Sequence, residues 1–359
     1  MRRIKVHAEH LYEVLFSEVN ASVLHPVISG ATKVAIVVPE DLVALAAPLE
    51  KLLKSVPTIE KVVVIPVSEG EEQKSIKSVE RCWKILGQEN FRRSDAIIGL
   101  GGGATTDLAG FIAATWLRGI KWGAIPTSLA GMVDAAIGGK TGINTEAGKN
   151  LVGSFYSPSV VIIDVNYLET LPADEFRAGL AEVIKCGFIA DQRILELIEE
   201  RDDFLTPSSA TVKELIERAV LVKADVVSQD LKESYLRESL NYGHTLAHAI
   251  ERFEEYSWRH GDAVAVGLAF IANLAVLSGI ASEELCQRHL TILKKDKLPT
   301  TFTREAWPEL LQAMQNDKKS RAGGLRFVAV SDHDQKYEVV RLEGILPEVL
   351  QAAYERICS

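Results

Sequence analysis

The amino-acid sequence predicts an α/β N-terminal domain built on a parallel sheet, followed by a mostly α-helical C-terminal domain. Three observations lead to this prediction. At 359 residues the chain exceeds what one hydrophobic core usually covers. Short β-branched runs alternate with helical stretches in its first half, which is typical of a parallel α/β sheet. After about residue 171 these runs fade and amphipathic helical periodicity takes over, so we expect domains of 1–168 and 169–359.

The predicted elements follow that order along the chain. Five runs rich in Val and Ile are strand candidates: 33–38, 61–65, 96–100, 122–125 and 159–164. The helices between them are expected to begin near Asp41, Ser75 and Thr105. In the second half Ala181 is expected to start a helix, and 325–330 with 337–341 predict a small hairpin. The apolar run 263–280 has no companion, which favours a buried core helix over a membrane span.

Composition argues against several functional classes. The formal net charge of −9 opposes general attraction to nucleic acid or to anionic membranes. No apolar signal-peptide segment follows the first residues, because His7, Glu9 and Glu13 interrupt it. The four cysteines are scattered without pairable spacing. We therefore expect a cytoplasmic protein with reduced thiols and with neither a nucleic acid nor a membrane partner.

Three of the eight histidines lie close together and form the strongest chemical signal in the chain. His244 and His248 are four apart in a predicted helix and share a face, whereas His260 begins a second apolar helix. A divalent metal ion could lie between the two helices. For an isolated pair, helix capping or hydrogen bonding in the core would be the favoured interpretation.

A glycine-rich segment, 99–107, follows a predicted strand and opens a helix. Glycines there let backbone amides approach a phosphate at the positive end of the helix. The G-x-G-x-x-A spacing superficially fits a dinucleotide-binding pattern, but no acidic residue lies about twenty positions further on to hold a ribose. A phosphate-binding turn and an ordinary tight turn both remain open.

A denser polar set lies between residues 126 and 150. Lys140 and Lys149 come just after glycines, with hydroxyl and amide side chains alongside, which suits an anion that needs both charge and directional donors. A nucleotide-triphosphate P-loop is disfavoured, because Asp134 stands where its first glycine is required. The set predicts a phosphate or carboxylate pocket, although any single lysine would also fit a solvated surface.

Glu182 adds a third ligand to two of the histidines. With Lys185, three positions on, it could form an ordinary surface ion pair. With His244 and His260 it completes a His₂Glu set, which leaves an open coordination position on zinc for substrate oxygens. That donor set indicates a catalytic rather than a structural metal site.

A long series of motifs runs in one order along the chain. The motifs are Glu69-Gly-Glu-Glu-Gln-Lys74, Gly101-Gly-Gly-x-x-x-Asp107, Trp116-Leu-Arg118-Gly119, Pro126-Thr-Ser, Val133-Asp-x-x-x-Gly-Gly-Lys140-Thr, Gly148-Lys-Asn150, Leu168-Glu-Thr-Leu-Pro172, Ala181-Glu-Val-Ile-Lys185, Arg237-Glu-x-Leu-Asn241-x-Gly-His244-Thr-x-x-His248-Ala-Ile-Glu251 and His260-Gly-x-Ala-Val. From about residue 33 to residue 330 the chain resembles the 3-dehydroquinate synthase family of sugar phosphate cyclases.

The resemblance implies a dehydroquinate synthase-like fold, with a Rossmann-like parallel sheet in the N-terminal domain. Such enzymes convert 3-deoxy-D-arabino-heptulosonate 7-phosphate to 3-dehydroquinate and phosphate in the shikimate pathway. They use NAD and a divalent metal, usually Zn²⁺ and alternatively Co²⁺, for transient oxidation, phosphate elimination, re-reduction and aldol closure. A homodimer is also implied, because Arg118 matches an arginine that reaches the phosphate pocket of the neighbouring subunit.

The resemblance also implies roles for individual residues. The implied metal ligands are Glu182, His244 and His260. The implied NAD contacts are Glu69, Gly70, Glu71, Glu72, Gln73, Lys74, Gly102, Gly103, Ala104, Thr105, Thr106, Asp107, Thr127, Ser128, Lys140, Lys149, Tyr167, Leu168, Glu169 and Thr170. The implied catalytic and substrate contacts are Asp134, Lys140, Asn150, Lys185, Lys223, Arg237, Asn241, His248, Arg118 and one lysine of the pair Lys318 and Lys319, of which Lys319 is favoured. His248 thereby becomes a substrate-side donor or proton carrier instead of a metal ligand.

Other functions share parts of this pattern. A sister cyclase making an inosose or a valiolone would use the same fold, NAD and zinc on a sugar phosphate without a carboxylate. Dehydroquinate synthesis is favoured by Arg237, Asn241, His248 and the pair Lys318 and Lys319. A metal-dependent polyol dehydrogenase would usually offer an aspartate with two histidines and would release NADH. A non-enzymatic NAD sensor would require the whole metal set to be idle.

Overall fold

The computed structural model describes residues 2–231, 236–319, 325–333 and 336–359, without the side chains of 316–319. The chain divides into two compact units, one formed by Met1–Leu171 with Lys223–Lys232 and the other by Pro172–Val222 with Glu233–Ser359. The first unit therefore includes a short segment from far along the chain. The domain boundary between residues 168 and 169 stays a prediction.

The first unit is built on a seven-stranded sheet and a separate hairpin. Its strands are β1 (Arg2–His7), β2 (Leu11–Phe16), β3 (Lys33–Pro39), β4 (Lys61–Val67), β5 (Ala96–Gly101), β6 (Lys121–Pro126), β7 (Lys140–Thr145), β8 (Gly148–Phe155) and β9 (Val160–Ile163). The order in the large sheet is β1-β2-β9-β6-β5-β3-β4, in which β1 pairs antiparallel with β2 and all other pairs are parallel. The hairpin consists of β7 and β8. The predicted parallel α/β sheet is confirmed.

The helices of the first unit begin in different ways, and a side chain caps only some of them. They are α1 (Ala21–Ile28), α2 (Val43–Lys54), α3 (Ile76–Gln88) and α4 (Gly103–Thr115). The side chain of Asn20 accepts hydrogen bonds from the first turn of α1, and that of Ser75 does so for α3, whereas no side chain caps α2 or α4. Strands β3 and β5 are buried almost throughout, which explains their unbroken Val and Ile runs.

The second unit is mostly helical, as predicted. The remaining helices and strands are α5 (Ala173–Ile189), α6 (Gln192–Glu200), α7 (Ala210–Gln229), α8 (His244–Phe253), α9 (His260–Leu277), α10 (Glu283–Lys295), α11 (Trp307–Lys319), β10 (Arg326–Ser331), β11 (Glu338–Glu343) and α12 (Pro347–Glu355). Helix α7 is divided between the units: its residues up to Val222 belong to the second unit, and those from Lys223 onward belong to the first. The predicted hairpin near the end is confirmed as β10 and β11.

Helix α9 is the centre of the second unit and packs against α5, α8, α10 and α12. Among the described residues it alone has the length and hydropathy of a membrane span, and 78% of that span is buried within the protein. The interpretation of this run as a core helix is therefore confirmed. The predicted start of α5 at Ala181 is wrong: the helix begins at Ala173, because Asp174 and Glu175 follow Pro172 and favour a helix N-terminus there.

Candidate active site

Glu182, His244 and His260 lie together in the second unit. Glu182 lies within α5, whereas His244 and His260 are the first residues of α8 and α9. One nitrogen or oxygen from each of the three residues lies within 4.8 Å of those from the other two. Glu182 and His244 are buried and His260 is partly exposed, so the group can be reached from solvent at His260.

Glycines allow the three helices that carry these residues to approach closely. A Cβ atom at Gly261, the second residue of α9, would lie 1.8 Å from the carbonyl oxygen of Ala178, one turn before the glutamate in α5. A Cβ atom at Gly267 would lie 2.0 Å from the carbonyl oxygen of Gly243, which precedes α8. Larger residues at 261 and 267 would push α9 away from α5 and α8. The spacing of the three side chains therefore depends on these backbone contacts.

Both histidines turn the same ring nitrogen toward the glutamate. Nε2 of His260 lies 3.1 Å from Oε1 of Glu182, and Nε2 of His244 lies 3.3 Å from the same oxygen. Nδ1 of His244 donates a hydrogen bond to the carbonyl oxygen of Tyr242 at 3.0 Å. Nδ1 of His260 lies 3.3 Å from Oε2 of Glu251. The two Nε2 atoms and the carboxylate oxygen thus face one another.

The charges in this cluster stabilise one another. Lys185, one turn after Glu182, is buried and forms an ion pair with its carboxylate. Burial acts to raise the pKa of Glu182, but Lys185 and His244 hold that pKa well below its ordinary value. Burial acts to lower the pKa of His260, but hydrogen bonds to Glu182 and Glu251 raise it to about 10. The alternative of an ordinary surface ion pair is wrong, because both partners are buried.

The donor set fits a zinc ion. One carboxylate and two imidazole nitrogens are the protein ligands of several catalytic zinc sites, where the fourth position is left for water or substrate. The ring of His248 is centred 5.5 Å from that of His244 and 6.4 Å from that of His260, but it lies outside the group of convergent donors. His248 is therefore a neighbour of the candidate metal site and not one of its three candidate ligands.

Other predicted site residues of the second unit differ in burial. Arg237 is buried on the 3₁₀ helix Leu236–Asn241, which Asn241 ends. A buried guanidinium is unfavourable unless groups that accept its hydrogen bonds lie close by. Lys319 is the last residue of α11, but the side chains of Lys318 and Lys319 lie outside the described part of the structure.

In the first unit, the glycine-rich segment lies at the carboxyl end of β5. Gly101 ends that strand and α4 begins at Gly103. A Cβ atom at Gly101 would lie 2.5 Å from Oγ1 of Thr105 and 2.9 Å from Cδ of Pro39, the last residue of β3. Because β4 lies on one side of β3 and β5 on the other, the chain order reverses here. Nucleotides bind at such points, beyond the carboxyl ends of the strands.

Lys74 joins three of the predicted ligand-binding segments. It is buried and follows the 3₁₀ helix Gly70–Gln73. Its Nζ donates to Oδ2 of Asp107 at 2.7 Å and also to Oδ1 of Asn150. Burial raises the pKa of Asp107 to about 6 in spite of the neighbouring lysine. The structure thus brings together predicted cofactor and substrate residues that are distant in the sequence.

Two further predicted cofactor segments follow β6 and β9, which are adjacent and parallel. After β6, the amide of Thr127 donates to the carbonyl oxygen of Gly101 at 2.9 Å, and Oγ of Ser128 accepts from the amide of Gly131 at 3.2 Å. After β9, the 3₁₀ helix Val165–Thr170 carries Tyr167, Leu168, Glu169 and Thr170. These segments therefore lie beyond the same edge of the sheet as the glycine-rich turn.

The predicted substrate residues of the first unit lie on several elements. Asp134, in the helical turn Gly131–Ala135, pairs with Nζ of Lys223, so the lysine on α7 belongs with this unit. Lys140 begins β7, and Lys149 with Asn150 lies on β8. The backbone of Asn150 is left-handed, with φ of 56°.

Arg118 is presented on a strained turn. It is exposed and has φ of 65°, after Leu117 with φ of 50°. Positive φ values are costly for residues other than glycine and are concentrated at functional sites. The turn holds this guanidinium at the surface of the first unit.

Sequence reasoning assigned no role to Glu251, Tyr242 and His289. Glu251 lies seven positions after the first residue of α8 and so faces the same way, a spacing that could have identified it. The hydroxyl of Tyr242 hydrogen-bonds to Nε2 of His289 at 2.7 Å, and the His289 ring stacks on Phe188 with centroids 3.4 Å apart. No sequence signal marks His289, because Tyr242 and Phe188 are far from it along the chain.

Comparisons with known proteins agree with these features. Residues 64–178 match the family model described as 3-dehydroquinate synthase N-terminal, and residues 179–320 match 3-dehydroquinate synthase C-terminal. A 3-dehydroquinate synthase of Corynebacterium diphtheriae is 50% identical over 359 residues, which cover 99% of each chain.

Two solved structures have the same fold. The 2-epi-5-epi-valiolone synthase ValA of Streptomyces hygroscopicus, with NAD⁺ and Zn²⁺ bound, has a TM-score of 0.85 at 24% identity over 99% of each chain. A 2-deoxy-scyllo-inosose synthase in complex with carbaglucose-6-phosphate, NAD⁺ and Co²⁺ has a TM-score of 0.82 at 22% identity, covering 99% of this chain and 100% of that chain.

Proposed function

The chain belongs to the 3-dehydroquinate synthase family, and from this premise we propose how its residues carry out the reaction. It is an enzyme that converts 3-deoxy-D-arabino-heptulosonate 7-phosphate to 3-dehydroquinate and phosphate, a step of the shikimate pathway and of aromatic amino acid biosynthesis. The assignment of residues depends above all on the convergence of Glu182, His244 and His260.

Glu182, His244 and His260 hold a Zn²⁺ ion, for which Co²⁺ can substitute. Donor chemistry and mutual distances support this assignment, as do the metals bound to the two cyclases of the same fold. When bound, such an ion acts as a Lewis acid toward substrate oxygens. Lys185 favours the ionised form of Glu182, so the carboxylate oxygens stay available as ligands.

NAD binds to the first unit beyond the carboxyl ends of β3, β5 and β6. The N-terminus of α4, at Gly103, has no side-chain cap and offers the positive end of the helix to the pyrophosphate. Lys74 is held in place by Asp107 and contributes positive charge. Thr127 and Ser128 add hydroxyl groups at the same edge. When bound, NAD supplies transient oxidation by accepting a hydride and returning it.

Cationic and polar side chains bind the phosphate and the carboxylate of the substrate. We assign the phosphate to Lys140, Asn150, Arg237 and Lys319, and further positive charge for both anionic groups to Lys185, Lys223 and Arg118. Asp134 pairs with Lys223 and so orients its ammonium group. Asn241 is a further substrate contact, and His248, beside the candidate metal ligands, donates to substrate or carries a proton.

The enzyme acts as a cytoplasmic homodimer. The scattered spacing of the four cysteines in the sequence supports a reducing compartment. The turn at Arg118 is exposed and strained, which supports the proposal that the Arg118 guanidinium reaches the phosphate pocket of a second subunit. Mixing Arg118→Ala chains with His260→Ala chains tests this assignment, because a heterodimer has one site that retains both residues. Recovered activity is expected, and no recovery in verified heterodimers would contradict it.

The assay for the reaction separates it from its rivals. Purified protein is incubated with the heptulosonate phosphate, catalytic NAD and zinc, while phosphate release and the absorbance of NADH are followed. We expect stoichiometric phosphate without accumulation of NADH. Accumulating NADH would indicate a polyol dehydrogenase, and turnover only with glucose 6-phosphate or sedoheptulose 7-phosphate would indicate a sister cyclase. His260→Ala should abolish turnover, whereas His25→Ala, an exposed histidine of α1, serves as the matched control.

A further inference from the structure

Glu251 is a buried carboxylate directly behind one of the candidate metal ligands. Its Oε2 lies 3.3 Å from Nδ1 of His260, and its side chain is 7% exposed. It lies on α8, two turns after His244. The same helix therefore carries one candidate ligand, His244, and the carboxylate that contacts the other histidine ligand, His260.

We propose that Glu251 is a positioning residue of the metal site: its carboxylate accepts the Nδ1–H of His260 and keeps Nε2 of that ring turned toward the metal. This inference rests on the proposed function, because it takes Glu182, His244 and His260 to be the metal ligands. The carboxylate also makes the imidazole a stronger donor, because its negative charge favours electron density at Nε2.

The two candidate histidine ligands need different degrees of restraint. The side chain of His244 is 9% exposed, and its Nδ1 donates to a backbone carbonyl, that of Tyr242. The side chain of His260 is 40% exposed, so packing restricts its ring much less. A charged acceptor gives a stronger hydrogen bond than a neutral carbonyl. Glu251 thus supplies to the exposed ring the restraint that burial supplies to the other.

Glu251 acts on the metal through His260. The group of donors within 4.8 Å of one another contains Glu182, His244 and His260 but not Glu251. Because Oε2 faces Nδ1, Glu251 lies on the side of the ring opposite the nitrogen that faces Glu182. Metal affinity is therefore the property most directly sensitive to Glu251.

The test compares metal affinity in Glu251→Gln with that in wild type. Metal is removed by dialysis against a chelator, Co²⁺ is titrated while its visible absorption is followed, and Zn²⁺ affinity is measured by competition with a chromophoric chelator. We expect the dissociation constant to rise about 10- to 100-fold in the variant, as for other residues that orient metal-binding histidines. Glu255→Gln, the same change at an exposed position just beyond α8, should bind like wild type.

Each outcome bears on one of the two proposals. Wild-type affinity in Glu251→Gln, or an equal loss in Glu255→Gln, would overturn the role of Glu251. Wild-type protein that binds neither metal would instead contradict the proposed metal site. Glu251→Asp, which keeps the charge but withdraws it from the ring by one methylene, provides a second variant and should also weaken binding and alter the Co²⁺ spectrum. An unchanged melting temperature of the metal-free variants would support an effect confined to the site.

Discussion

Asp296 is a fully buried carboxyl group at the C-terminal end of α10. Neither of its oxygens accepts a hydrogen bond from the described residues. Burial raises its pKa to about 8, and the more distant charges of Arg177 and Asp262 act in opposite directions. Asp296 is therefore protonated at neutral pH in the folded protein, whereas it is ionised when the chain unfolds.

The pKa shift makes the free energy of unfolding depend on pH with a definite sign. Below about pH 4 the carboxyl is protonated in both the folded and the unfolded state, so it does not make the free energy of unfolding depend on pH. Between pH 4 and pH 8 only the folded state keeps the proton, so the free energy of unfolding falls as pH rises. A shift of the pKa from 3.8 to about 8 corresponds to a penalty of roughly 6 kcal/mol above pH 8.

Asp296→Asn removes this penalty, because the amide is neutral at every pH and has nearly the same shape. We expect the variant to be more stable than wild type by up to roughly 6 kcal/mol at pH 9 and by little near pH 4. Urea denaturation followed by circular dichroism at several pH values measures the difference. Asp202→Asn, at a fully exposed aspartate of the same unit, is the control and should change little. A stability gain in Asp296→Asn that does not grow with pH would refute this reasoning.

Three further changes test other parts of the structure. Tyr242→Phe leaves the buried Nε2 of His289 without its donor, so urea denaturation should show a loss of about 1 to 3 kcal/mol in the free energy of unfolding. Gly261→Ala places a Cβ atom 1.8 Å from the carbonyl oxygen of Ala178 and should abolish high-affinity Zn²⁺ binding in equilibrium dialysis by moving α9 from α5. Lys74→Met removes a buried cation from the proposed nucleotide site and should weaken NAD binding at least about tenfold in calorimetry, since a charge-assisted contact contributes about 1.5 to 3 kcal/mol.

The central strands could be predicted because burial on both faces requires apolar residues at nearly every position. Strands β3 and β5 are covered on both faces, so nearly every position is apolar and the Val and Ile runs are unmistakable. The edge strand β1 mixes charged and apolar residues, and β8 is largely exposed and contains two glycines, so neither run was identified as a strand. Patterns indicate elements best where burial is uniform, and less well where a strand faces solvent.

The amino-acid sequence by itself determined the class of fold, the family and the residue types available for chemistry, because those depend on local periodicity and on motifs in fixed order. Only the tertiary structure decided that the glutamate of α5 meets the first residues of α8 and α9, since that contact depends on close backbone approaches at Gly261 and Gly267. It also decided that Glu251 lies behind His260 and that Asp296 is buried without a hydrogen-bond partner among the described residues. Burial and distance arise from packing between segments far apart in the chain, and these determine how an ionisable side chain behaves.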